Sequence, residues 1–164
     1  MNTMHDNTTT AAHVERVDLE HQATVAEAVA LLGQFAEESG HPLDWTAASS
    51  LPELFRRRQA VLLLARLNGE AVGFALCQRA ILSFRGTESL NLHDIFVTES
   101  ARGMGIGTKL LGEIKAFGSD ANAKSILVET TSSNTGAQKL YETTGYQEVC
   151  DRIFYEQVIS DNKD

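Results

Sequence analysis

The sequence predicts a single α/β (α+β) domain, on three observations. Strand-like and helix-like stretches follow one another in the order β-α-α-β-β-β-α-β-α-β-β, without an internal repeat. Asn68-Gly69, set between two apolar runs, is a two-residue hairpin signal. Residues 91–117, NLHDIFVTESARGMGIGTKLLGEIKAF, read as a strand, a glycine-dense loop and a helix.

Residues 13–19 alternate loosely and form a first strand. Over 22–38, Val25, Ala28, Val29, Leu32 and Phe35 recur at helical intervals, and Ser39-Gly40-His41-Pro42 stops that helix because proline cannot continue it. Residues 43–50 are a connection bearing Trp45, and a second helix runs from about Ser50 to Gln59 with Pro52 in its first turn. Residues 60–67 are an apolar strand, 71–82 its return, and 83–89 a loop carrying Phe84. In the helix after the glycine loop, Ile106, Leu110, Leu111, Ile114 and Phe117 share one face. Residues 125–131 are a short buried strand, and 135–144 a helix with Ala137, Leu140 and Tyr141 on one face. Gly145 ends it; residues 146–149 begin another strand and 153–158 form the last. One domain therefore spans 13–158, between a disordered polar tail at 1–12 and a C-terminal tail at 159–164.

Composition narrows the function. The longest apolar run, residues 60–65, is far short of the roughly 20 residues of a membrane helix, so no membrane partner is expected. A net charge of −8 argues against nucleic acid, whose phosphates need clustered Lys and Arg. The one basic cluster, Arg56-Arg57-Arg58, sits near a helix end, where cations suit the dipole. An acidic surface favours a cationic small substrate. Residues 1–12 lack the cationic start and apolar segment of a secretory signal. Cys77 and Cys150 form no CxxC pair and read as reduced, buried thiols, which makes the cytoplasm the expected compartment. No His/Cys/Asp/Glu group has metal-ligand spacing, so no metal is expected.

The glycine loop is an anion site in outline. Glycines let successive backbone N–H groups turn inward, and the helix start adds unsatisfied donors and the positive end of its dipole. Gly103, Gly105 and Gly107 do not fit a dinucleotide fingerprint, which needs its third glycine where Thr108 stands, nor a P-loop, since Thr108-Lys109 reverses the required order. Arg102-Gly103-Met104-Gly105-Ile106-Gly107 instead resembles the R/Q-x-x-G-x-G/A signature of the acetyl-CoA-dependent N-acetyltransferases, the GNAT superfamily. A second segment, from Ser133 to Tyr146, is similar to that family's N-x-x-A-x-x-x-Y-x-x-x-G-F/Y pattern, with Asn134, Ala137, Tyr141, Gly145 and Tyr146 in place. The resemblance covers about residues 13–158. It implies a mixed, mostly antiparallel sheet of about seven strands flanked by about four helices and splayed at the central parallel pair.

The resemblance also implies an activity: transfer of the acetyl group of acetyl-CoA to the primary amine of a small molecule, a polyamine, amino acid or aminoglycoside, by direct transfer in a ternary complex. Acetylation of a protein or peptide, and a non-catalytic acyl-CoA-binding regulator, remain alternatives. A homodimer is compatible with proteins of this kind. Arg102, Gly103, Met104, Gly105, Ile106, Gly107 and Thr108 would take the pyrophosphate. A bulge near residues 96–98 would turn the backbone of Phe96 and Val97 to the cofactor arm, with the Val97 N–H at the thioester oxygen and Asn134 as a further contact, or simply a helix N-cap. Tyr141 would return a proton to the leaving thiolate. The base is open: His93 stands where related enzymes place a glutamate, Asp94 is either structural or an anchor for the substrate ammonium, and Glu129 is a third candidate. His93 and Asp94 are adjacent on a strand, so alternation sends them to opposite faces. Trp45 and Phe84 are expected to line the acceptor pocket.

Overall fold

A computed structural model describes residues 12–149 and residue 157. Strands β1 (His13–Arg16), β2 (Val61–Leu67), β3 (Glu70–Leu82), β4 (Thr87–Val97) and β5 (Ile126–Val128) form one sheet in the order β1-β2-β3-β4-β5. The first three pairings are antiparallel and β4–β5 is parallel. Helices α1 (Gln22–Glu38), α2 (Trp45–Ala48) and α3 (Leu51–Arg57) precede β2, α4 (Ile106–Asp120) crosses from β4 to β5, and α5 (Thr135–Thr143) follows β5. No helix among the described residues is long and apolar enough to cross a membrane.

The sheet separates two cores. On one face Leu110, Leu111 and Ile114 of α4 and Tyr141 of α5 pack on Leu63, Ala75, Cys77, Leu90 and Leu92. On the other, Val25, Ala28 and Leu31 of α1 and Phe55 of α3 pack on Leu62, Leu64, Phe74 and Phe96. The β2–β3 hairpin forms because Asn68 and Gly69 both take positive φ, 55° and 83°, which matches the strand twist. Arg66 then ties the sheet edge to α1: its Nε donates to Glu15 at 2.7 Å, and Nη1 and Nη2 donate to Glu27 at 3.0 and 2.7 Å.

The structure departs from expectation in three places. Five strands are found among the described residues instead of about seven. Residues 146–149, after Gly145 at φ 93°, make no ladder with another described residue, and 153–158, apart from Gln157, lie with Cys150 and the two tails, apart from Ala12, outside the described residues. Trp45 starts a helix instead of lying in a connection, because the Asp44 carboxylate caps Thr46 N–H at 2.8 Å and Ala47 N–H at 3.3 Å. The expected loop at 83–89 is only a 3-10 turn at Ser83–Arg85, closed by Gly86 at φ 59°, before β4 begins at Thr87.

Gly73 fixes how closely β3 approaches the end of β4. A Cβ there would lie 2.8 Å from the backbone oxygen of Phe96 and 3.4 Å from Val97 Cγ2. Gly73→Ala is therefore expected to cost about 1–3 kcal/mol of stability, read by chemical denaturation, because β4 must shift to admit the methyl group. Unchanged stability would show that the strands separate without penalty.

Candidate active site

The site is built on β4. Leu76 pairs with Asp94 and Cys77 with Leu92, so His93 has no ladder partner and forms a β-bulge. The bulge was expected at 96–98, where pairing is instead regular: Phe96 opposes Phe74 and Val97 opposes Gly73. This displacement overturns the alternation argument for His93 and Asp94. Asp94 falls in phase with Phe96 and opposite Leu76, on the α1 face. His93 Nε2 lies 3.2 Å from Oε1 of Gln78, which is itself in phase with Leu76. Both side chains therefore occupy one face. Because an amide oxygen only accepts, the His93–Gln78 bond puts the imidazole proton on Nε2 and leaves Nδ1 able to take one. Burial pushes the Asp94 carboxyl above its ordinary 3.8, with His93 pulling the other way.

Beyond Leu92 the central strands part. The last parallel pair is Leu92 with Val128, while β4 runs on to Val97. Thr98 N–H donates to Val72 O at 2.9 Å, so by alternation the peptide groups of Val97 and Ile95 point away from β3 and into the opening. By the same alternation the polar backbone of Phe96 is committed to β3, and its ring is buried against Phe35 and Phe74 at centroid distances of 5.8 and 6.3 Å. Phe96 thus offers the opening nothing, whereas Ile95, which sequence reasoning passed over, offers an N–H.

After β4 and a 3-10 turn at Glu99–Ala101 comes the glycine loop. Gly103 and Gly105 take φ 77° and 76°, and the first intrahelical bond of α4 is Lys109 N–H to Gly105 O at 3.1 Å. The amides of Gly103, Met104, Gly105, Ile106, Gly107 and Thr108 find no acceptor among the described residues. Six successive donors at a helix start suit a pyrophosphate. Ile106 contributes only its backbone, since its side chain is in the core. The side chains of Met104 and Thr108 are exposed. Gly107 has a second reason to be glycine: a Cβ there would meet Leu140 Cδ2 at 2.9 Å, so the α4–α5 contact needs it. Arg102 is turned away from the loop. Its Nε donates to Val97 O at 3.0 Å, its Nη2 pairs with Glu38 of α1, and its guanidinium lies 5.7 Å from the Phe96 ring.

Tyr141 of α5 is buried in the core that α4 also enters, its ring 5.6 Å from that of Tyr146, and burial pushes its phenol above 10. Tyr146 is pushed up to about 12 by burial, then by Cys77 and Tyr141. Asn134 is the N-cap of α5, accepting from Ala137 N–H at 3.1 Å. Glu129 is exposed just past the end of β5. Trp45 lies across Gly33 of α1, where a Cβ would come within 2.6 Å of its ring, and remains 57 % exposed. It lines a cleft of about 470 Å³ built by α1 and the α2–α3 segment alone, without a residue of β4, β5, α4 or α5. Phe84 belongs to the 3-10 turn before β4.

A family model described as the acetyltransferase (GNAT) family matches residues 25–146, from α1 through the residue after Gly145. The chain belongs to the GNAT acetyltransferase family. This GNAT protein is 30% identical over 138 residues to the uncharacterized N-acetyltransferase YhfO of Bacillus subtilis, covering 82% of this chain and 93% of that one. It is 28% identical to aminoglycoside N(6')-acetyltransferase type 1 of Salmonella typhimurium, covering 71% and 81% of the two chains. Among solved structures, AAC(6')-Iy in complex with the bisubstrate analog CoA-S-monomethyl-acetylneamine has the same fold, with a TM-score of 0.76 at 21% identity, covering 92% of this chain and all of that one.

Two substitutions test this GNAT site. Gly105→Val has open space for its side chain but must hold φ 76°, a strain of about 1–2 kcal/mol; it should fold and lose acetyl-CoA binding by calorimetry. Normal affinity in the folded variant would contradict the phosphate cradle. Asp94→Asn tests the buried carboxyl. Its folded pKa is raised, so stability held below about 3.8 is lost as pH rises through the folded value. The variant should therefore unfold at a higher temperature than wild type near pH 7 and show no such gain below that range. A lower melting temperature at neutral pH would mean that the ionised carboxylate is stabilised.

Proposed function

We propose that this protein is an acetyl-CoA-dependent N-acetyltransferase acting on the primary amine of a small molecule by direct transfer in a ternary complex in the cytoplasm. The observation that carries the reading is the parting of β4 and β5 beyond Leu92, which turns the Val97 N–H into an opening bordered by the unpartnered amides of Gly103–Thr108. When bound, acetyl-CoA supplies an acetyl group activated as a thioester. The loop amides hold its pyrophosphate, and the Ile95 and Val97 peptides pair with its arm. The Val97 N–H faces the carbonyl oxygen, where negative charge grows as the amine attacks.

The remaining work is proton management. An alkylammonium with pKa near 10.4 must lose a proton before it attacks. His93 Nδ1 takes it, while Asp94, on the same face, holds the ammonium beforehand. As the new C–N bond forms and the C–S bond breaks, the nitrogen sheds its second proton to solvent, while Tyr141 gives its phenolic proton to the departing sulfur and regains one from solvent. Its raised pKa keeps that proton in place through neutral pH. A net charge of −8 draws a cationic acceptor, and the relatives' names put aminoglycosides at the head of the candidates.

Thiol release from acetyl-CoA, measured against aminoglycosides, polyamines, amino acids and short peptides, is expected to show turnover with a small cationic amine. Turnover with peptides only, or acetyl-CoA binding without turnover on any acceptor, would replace this reading. Tyr141→Phe should lower kcat roughly tenfold or more at saturating acetyl-CoA, given the ~10²–10⁴ that general acid–base catalysis contributes. An unchanged kcat would remove Tyr141 from the mechanism.

A further inference from the structure

The opening's most exacting part, the peptide that ends β4, has no strand on its outer side to hold it. What holds it is a side-chain assembly. Arg102 Nε donates to Val97 O at 3.0 Å, on the same strand edge as the Val97 N–H. The guanidinium is oriented by Glu38, 64 residues away at the end of α1, and lies 5.7 Å from the Phe96 ring. Phe96 is wedged in turn against Phe35, one helical turn before Glu38. The two α1 side chains thus grip the two residues that end β4, one through aromatic contact and one through the Arg102 fork.

We propose that Arg102 and Glu38 are positioning residues that aim the Val97 N–H, with Glu38 acting through Arg102. Arg102 then serves the site by fixing the β4 terminus, and its charge is already matched by Glu38 instead of being spent on the cofactor phosphates. The Nε–H bond holds the Val97–Thr98 peptide, the next one along from the Phe96–Val97 peptide that carries the N–H, and so restrains the Val97 backbone torsion that sets where an oxygen must sit to accept from Val97. Glu38 keeps the guanidinium in the plane that makes this bond possible. The inference rests on the acetyltransferase reading, because only a reacting carbonyl oxygen makes the aim of that N–H matter.

The test compares Glu38→Gln, Arg102→Gln, Arg102→Lys and the double variant Glu38→Gln/Arg102→Gln in the full chain. The readouts are steady-state turnover with the best amine, calorimetric binding of CoA, which lacks the acetyl carbonyl, and melting temperature. In Arg102→Gln, kcat should fall about tenfold or more, since losing one such donor outright costs ~10²–10³. Binding of CoA should stay within about twofold. Glu38→Gln should show a smaller fall in kcat, and the double variant should be no slower than Arg102→Gln alone. Arg102→Lys should recover little, because a single ammonium does not reproduce the fixed fork. Loss of CoA affinity in step with kcat, effects that multiply in the double variant, or an unchanged kcat in Arg102→Gln would each overturn the positioning role while leaving the acetyltransferase reading intact. A wild-type protein that binds no CoA and acetylates nothing would overturn both.

Discussion

The rest of the structure depends on an interrupted strand pairing. β4 and β5 lie side by side for three residue pairs and then part, while β4 stays joined to β3 as far as Thr98. A strand edge inside a domain is costly, because each peptide group facing it lacks a partner. Here the edge is kept open, and the glycine loop follows it after one short turn. Backbone donors along a strand edge and at a helix start suit an anionic ligand without a charged side chain.

Keeping such an edge in place requires support from outside the sheet. Gly73 allows β3 to approach within a distance that a methyl group would forbid. Phe96 anchors the strand in the α1 core, and Arg102 restrains the last carbonyl from the far side. The glycine loop is held by a similar division of labour. Gly103 and Gly105 supply backbone conformations, whereas Gly107 makes room for Leu140, so that α5 and its Tyr141 sit close against the start of α4. The signature therefore serves partly backbone conformation and partly packing.

The bulge at His93 decides which side chains share a face. One extra residue in β4 brings two neighbouring polar side chains to the same face, where regular alternation would have parted them. Burial raises the Asp94 carboxyl above its ordinary range, so ionising it costs more there than at the surface. The same bulge brings the His93 ring to the Gln78 amide, 3.2 Å away.

Much of this was legible in the sequence because it is local. Helical periodicity, the Asn68-Gly69 turn, the glycine spacing after a strand and the Asn134 to Tyr146 segment each act over a few residues, and the structure places the corresponding elements where the spacing put them. The Asp44 cap was legible too, since an aspartate before Trp45 is an ordinary helix start, though it went unread. Contacts between residues distant in the chain could not be read. The position of the bulge is a matter of register between β3 and β4, which the sequence 92–98 by itself does not carry. The pairing of Glu38 with Arg102, the contact of Leu140 with Gly107 and the placing of Trp45 on Gly33 depend on how helices and sheet come to rest together. Sequence determined the elements and the chemistry each carries; tertiary packing decided which backbone groups stay unpaired and which side chains share a face, because both follow from register and approach distance between segments far apart in the chain.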